Sequence, residues 1–307
     1  TARYKARLLQ GDSLTDLTGG FGIDCSFLAT GFKSATYVER QEELCEIAAH
    51  NFPVLNLNHI NIKNEDGVTY LQVMSPVDSL FLDPARRNEH GGKTVAISDC
   101  EPNVAELEEL LLQKANRVMI KLSPMLDLSL ALKELKQTQE VHILSVNNEC
   151  KELLILLGQT SPAEISIHCV NLFTKGTQKE QHFVFTREQE QCSECTYTDS
   201  LETYLYEPNA SLLKAGAFRS IAAAYPVRKL HPNSHLYTSD TFIENFPGRI
   251  FRIVNQCSFN KKEVKENLAD LKKANVTVRN FPATVAELRK RIHLAEGGDT
   301  CLLYTSD

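Results

Sequence analysis

The sequence predicts a doubly wound α/β domain built on a largely parallel sheet, followed by a smaller α+β domain. Three observations predict it. From residue 13 to residue 146, short apolar runs alternate with amphipathic segments of helical period, the pattern of strand–helix–strand crossovers. The first of these passages is broken by Thr18-Gly19-Gly20-Phe21-Gly22, and glycines at a strand-to-helix turn let the backbone approach a ligand closely. Past a polar, acidic stretch at 189–198 the alternation gives way to shorter mixed elements. The expected domains are therefore 1–190 and 198–307.

Taken in order, residues 13–17 form the first strand, and the apolar positions of 25–30 begin the helix behind the glycine turn. Residues 34–39 are a second strand ending in Glu39, and 42–52 a helix with Leu44, Ile47, Ala48 and Phe52 at helical spacing. A third strand (59–63), a short helix (68–74) and a fourth strand (77–82) follow, and the last runs into Asp83-Pro84-Ala85-Arg86-Arg87. Residues 88–98 are polar and contain glycine, a loop long enough to act over a site. A helix at 103–114, strands at 117–122 and 141–146 and the helix between them complete the alternation. Two further runs, 164–173 and 182–186, lie too close together for a crossover helix and predict an antiparallel hairpin. The second domain reads as strands at 204–207, 249–257, 276–281 and 300–305. Its helices fall at 210–224, interrupted at Gly216, and at 261–273 and 285–291.

Composition narrows the function. The chain of 307 residues has a net charge of −6, which does not advertise nucleic-acid binding by itself. No apolar run is long enough to span a bilayer, so no membrane partner is expected. Nine irregularly spaced cysteines point to free thiols and a cytoplasmic protein. Cys192-Ser193-Glu194-Cys195 supplies only two of the four ligands of a structural zinc, with His182 or Cys169 needed in addition, and no structural metal is expected. The charge is uneven, however. Residues 199–307 hold 15 Lys or Arg against 12 Asp or Glu, whereas residues 1–198 hold 18 against 27. A basic C-terminal part beside an acidic one suits a division between recognition and chemistry.

Four acids fall at consecutive strand ends. Asp16 closes the first strand beside Gly19, Gly20 and Gly22. Glu39 closes the second, 19 residues after Gly20, where an acid accepts both ribose hydroxyls of an adenosine. Asp66 lies past the third strand, in reach of an adenine amine, and Asp83-Pro84 closes the fourth.

With these residues the chain resembles the class I S-adenosylmethionine-dependent methyltransferases. Within them it is similar to a bacterial family with a THUMP-like C-terminal domain, and to the trimethylguanosine-synthase branch of RNA methyltransferases. The resemblance implies a Rossmann-like methyltransferase sheet over 1–190 and a THUMP-like α+β domain over much of 198–307. It implies that Asp16, Thr18, Gly19, Gly20, Phe21, Gly22, Glu39, Asp66 and Asp83 hold S-adenosylmethionine. Asp83-Pro84-Ala85-Arg86 matches the Asp/Asn-Pro-Pro-aromatic motif of amine methyltransferases, where a carboxylate and a proline carbonyl accept the hydrogens of an exocyclic amine. Asp83, Pro84 and Arg86 are accordingly the expected catalytic residues, and Arg86, Arg87 and Lys121 the expected substrate contacts. Ala85 and Arg86 depart from that motif, but a guanidinium stacks on a base or holds a phosphate. The implied partner is a structured RNA such as tRNA, with guanine before adenine as the target base.

Three other readings compete. Carbon-5 uridine methylation needs a cysteine nucleophile, and Lys121-Leu122-Ser123-Pro124 has none. A nicotinamide-dependent oxidoreductase fits the glycine turn and Glu39 but leaves Asp83-Pro84 without a role. A catalytically silent RNA-binding protein that retains the pocket fits the altered motif.

Overall fold

The computed structural model describes residues 1–86, 96–160 and 162–305, apart from the side chain of Arg86. Arg87 and residues 88–95 of the expected loop lie outside the described residues. The chain divides into two compact units. The first comprises 1–189 together with 210–216, and the second comprises 190–209 and 217–307.

The first unit is built on a nine-stranded sheet. Its strands are β1 (Ser13–Asp16), β2 (Ser34–Glu39), β3 (Ile60–Asn64), β4 (Val77–Leu82) and β5 (Ala115–Leu122). They continue with β6 (Thr138–Val146), β7 (Glu149–Gly158), β8 (Ser166–Leu172) and β9 (Glu180–Thr186). Across the sheet the order is β3-β2-β1-β4-β5-β7-β6-β8-β9. Strands β1 to β5 are mutually parallel, with Asp16 beside Tyr37 of β2 and Phe81 of β4. The expected hairpin is present as the antiparallel pair β8 and β9.

One strand of this nine-stranded sheet has no counterpart among the sequence-predicted elements. β7 turns back from β6 and inserts antiparallel between β6 and β5, pairing Ile155 with Ile120 on one side and Val141 on the other. Leu153, Leu154, Ile155, Leu156 and Leu157 are all completely buried. A strand covered on both faces shows a continuous apolar run without alternation, so its period is invisible in sequence.

Helices α1 (Ala2–Lys5), α2 (Ile23–Leu28), α3 (Glu42–Val54), α4 (Gly67–Val73), α5 (Val104–Lys114) and α6 (Leu128–Glu134) belong to this unit. Three begin on a side-chain cap, from Asp66, Asn103 and Asp127, which satisfies backbone N–H groups the helix leaves unpaired. The core runs through Leu14, Leu28, Phe81, Met119, Leu144 and Leu154. Residues 210–216, which the sequence places with the second domain, pack with the first unit.

In the second unit the strands Tyr204–Pro208, Arg228–Lys229, Tyr237–Ser239 and Gly248–Arg252 form an antiparallel sheet. Asn275–Arg279 and Cys301–Thr305 make a separate parallel pair. No disulfide joins any of the nine cysteines, all of which are among the described residues. Among the described residues no helix is long and apolar enough to cross a membrane.

Candidate active site

The chain leaves β1 toward β2 and β3 on one side, and β4 toward β5 on the other. The C-terminal ends of β1 and β4 therefore diverge, and a crevice opens where the winding reverses. A pocket of about 580 Å³ lies there, lined among others by Thr18, Gly20, Glu39, Asp66 and Asp83. Its size suits a nucleotide-like ligand.

The glycine turn is shaped by what surrounds it. Gly19 donates its N–H to the Val38 carbonyl at 2.9 Å, and a Cβ on it would stand 2.2 Å from the Tyr37 ring. Gly20 is left-handed, with φ +53°, and donates to Glu39 Oε2 at 2.9 Å, while the Tyr37 hydroxyl donates to its carbonyl. The nearest atom to a Cβ on Gly20 is 3.8 Å away, so a side chain there would project into the pocket. Gly22 precedes α2 as its N-cap, and Phe21 is 67% exposed. Glu39 is buried and held at both oxygens, Oε2 by Gly20 and Oε1 by the Gln41 N–H at 2.9 Å. Two of a carboxylate's roughly four acceptor positions are then used and two remain.

Asp66 caps α4, accepting from the Val68 and Thr69 N–H groups with Oδ1, both at 3.0 Å. Oδ2 has no partner among the described residues. A Cβ on Gly67 would come within 2.1 Å of the Leu17 carbonyl oxygen. This glycine thus lets α4 press against the end of β1 and bring Asp66 to the pocket.

Asp16 takes another place than the sequence suggests. It is buried and does not line the pocket. Its Oδ1 accepts the Thr18 N–H at 3.0 Å. Burial pushes its pKa up to about 7, opposed by that N–H and assisted by the charges of Asp24 and Asp83. Thr18 in turn accepts the Asp83 N–H at its hydroxyl, at 2.6 Å.

Lys121 also falls outside the pocket lining, although a substrate contact was expected of it. Its ammonium lies 2.5 Å from Asp83 Oδ2 and 3.0 Å from Asp24 Oδ2. Asp24 continues to Lys5 at 2.8 Å, and Lys5 to Glu152 of β7 at 3.0 Å. This alternating chain of charges runs from the pocket floor into the sheet. Burial disfavours the Lys121 cation, but the two carboxylates outweigh it and raise its pKa. Asp24 is likewise held below the ordinary carboxylate range against its burial, first by Lys5 and then by Lys121.

Ala85 and Arg86 pair antiparallel with Glu101 and Cys100. Pro84 is buried beside them. Several lining residues were not anticipated, among them Gln41, Glu101, Pro102, Asn103 and Glu106. Residues 101–103 come to the pocket beside the pairing of Ala85 with Glu101, which no sequence motif announces. The Asn103 cap, in contrast, had a legible signal in its position just before an amphipathic run.

Sheet order, switch-point crevice and the doubly anchored acid that ends β2 define the class: the methyltransferase fold, whose cofactor is S-adenosylmethionine. Residues 204–247 match a ferredoxin-like domain family, and residues 248–307 match the THUMP domain-like family. A candidate methyltransferase from Porphyromonas gingivalis W83, known as a crystal structure, is 37% identical with a TM-score of 0.89. That match covers 99% of this chain and 76% of that one. This chain belongs to the same family, a methyltransferase-fold domain followed by a THUMP-like C-terminal region. More distant structures include an rRNA methylase from Streptococcus thermophilus, at 15% identity, TM-score 0.37, and 51% and 92% of the two chains. The Streptococcus mutans protein SMU.1697c, solved with S-adenosylhomocysteine, stands at 14%, 0.37, and 51% and 94%. No curated protein matches the sequence.

The residues present fit the cofactor. Glu39 presents free acceptor positions for a diol, and Asp66 an unpartnered oxygen for an amine. Gly20 leaves open the space a Cβ would fill.

Proposed function

We propose that this chain methylates an exocyclic base amine, guanine before adenine, in a structured RNA such as tRNA. The observation that carries the reading is Asp83 at the pocket floor, with Oδ2 fixed by Lys121 and its backbone N–H by Thr18. A carboxylate oriented in this way has Oδ1 left to accept from a substrate N–H. Glu39 would hold the ribose and Asp66 the adenine amine. When bound, S-adenosylmethionine supplies a methyl group already activated by its sulfonium. The chain's task is then alignment and exclusion of water. Asp83 Oδ1 and the Pro84 carbonyl accept the two amine hydrogens, aim the nitrogen lone pair along the transfer axis, and Asp83 takes up the proton released. Arg86 and Arg87 would contact base or phosphate. The THUMP-like match over 248–307 and the basic balance of 199–307 support an RNA substrate, whose phosphates would displace counterions from those lysines and arginines.

The test is calorimetric titration of S-adenosylmethionine, followed by transfer of labelled methyl to bulk tRNA. Glu39→Ala is expected to weaken cofactor binding about 10- to 100-fold, the worth of charge-assisted hydrogen bonds. Asp83→Ala is expected to abolish transfer while cofactor binding is kept. Undiminished transfer by Asp83→Ala would refute the assignment of the amine-holding site.

A further inference from the structure

A second cluster of functional side chains lies on β6, β8 and β9, where no part of the transfer chemistry reaches. His142 of β6 and His168 of β8 are direct partners across the parallel ladder, as are Glu140 and Ser166 two residues earlier. The two imidazoles stack with centroids 4.2 Å apart and planes 16° apart, and His182 of β9 stacks on His168 at 5.3 Å.

The hydrogen bonds show how the rings are turned. His142 faces the Tyr4 hydroxyl with Nδ1 at 2.8 Å and Glu140 Oε2 with Nε2 at 3.1 Å. His168 faces His182 with Nδ1 at 3.2 Å and the Ser166 hydroxyl with Nε2 at 3.1 Å. Since Glu140 and Ser166 are neighbours, both Nε2 atoms point to the same end of the strands. Arg117 holds the other oxygen of Glu140, Oε1, at 3.1 Å.

We infer that Glu140, His142 and His168 form a binding site for a divalent transition-metal cation of the zinc type. One ligand atom from each lies within 4.8 Å of the others. A tetrahedral zinc site with bonds of about 2.0–2.1 Å needs ligand atoms about 3.4 Å apart. Glu140 Oε2 and His142 Nε2 already stand at 3.1 Å, whereas the stacked rings hold their Nε2 lone pairs side by side, so the two imidazoles must turn out of the stack to aim both at one ion. Two imidazole nitrogens and a carboxylate oxygen suit zinc, cobalt or nickel rather than magnesium or calcium, which prefer all-oxygen sets. The outer atoms are already held as metal ligands require: Tyr4 at His142 Nδ1, His182 at His168 Nδ1 and Arg117 at Glu140 Oε1. A fourth position is left for water or the Ser166 hydroxyl. Glu140 and Ser166 lie toward the N-terminal ends of β6 and β8, whereas the pocket lies at C-terminal strand ends. The metal would therefore clamp strands rather than enter the transfer.

The experiment uses the full chain freed of metal and titrated with Zn²⁺ and with Co²⁺. The background is the Cys192→Ser/Cys195→Ser/Cys257→Ser variant, because Cys192 and Cys257 are exposed, Cys195 is partly so, and such thiols also take zinc. One cation per chain is expected, and Co²⁺ should give a visible spectrum without thiolate charge-transfer absorption. His168→Gln, which keeps a polar side chain of similar reach, should weaken binding at least tenfold, and Glu140→Gln should do the same. Circular dichroism verifies that each variant is folded. Absence of uptake, uptake unchanged by His168→Gln and Glu140→Gln, or thiolate absorption from the bound cobalt would each overturn the site.

Discussion

Replacing Asp16 with asparagine should stabilise the protein at pH 8 and leave its stability near the wild-type value at pH 4. Asp16 is 1% exposed, and its burial pushes the folded pKa up to about 7 from an ordinary 3.8. In the unfolded chain the carboxyl ionises above about pH 4. The folded chain holds its proton until about pH 7, so over that window the native state binds more protons. Stability is therefore lost as pH rises, by about 1.4 kcal/mol per pH unit, and the loss levels off above the folded pKa. The full loss comes to about 4 kcal/mol at pH 8. Asparagine carries no charge and keeps an oxygen to accept the Thr18 N–H, so Asp16→Asn should escape that loss without disturbing the turn. Urea unfolding followed by circular dichroism, at intervals from pH 4 to 8, measures the difference between variant and wild type. A difference that stays constant with pH would refute the argument that burial governs Asp16.

Two more substitutions test how the pocket is built. Gly67→Ala puts a Cβ within 2.1 Å of the Leu17 carbonyl oxygen, a backbone atom. It should cost about 2–3 kcal/mol in urea unfolding as α4 is pushed away from β1, and an unchanged midpoint would show that α4 yields freely. Lys121→Met removes the cation shared by Asp83 and Asp24. Stability should fall by about 3 kcal/mol, and methyl transfer should fall with it because Asp83 loses its anchor. Retained transfer at a temperature where the variant is folded would show that Asp83 needs no partner.

Much of the first unit was legible because its strands are short, apolar and separated by helices of clear period. β2 and β4 occupy the predicted spans, and the acids Glu39, Asp66 and Asp83 do meet in one pocket. Asp16 read like the other three, since a strand-end acid looks the same whether it faces a ligand or turns inward to hold Thr18. Lys121 likewise carried no mark of its two carboxylate partners, which lie 38 and 97 residues away in sequence. β7 was missed because complete burial removes the alternation that identifies a strand. The histidine cluster escaped for a related reason. His142, His168 and His182 are far apart in the chain, and only ladder register stacks them.

The sequence by itself determined the α/β class, the glycine turn and the acids at strand ends. These follow from local chemistry: hydrophobic period, backbone freedom at glycine, and the tendency of strand ends to carry polar groups. Tertiary structure alone decided where β7 inserts, which acids face the pocket, and that Asp83 is gripped by a lysine paired in turn with Asp24 and, through Lys5, with Glu152. Those outcomes depend on strand order and register. They are set when the whole core is buried at once, by contacts that no window of sequence contains.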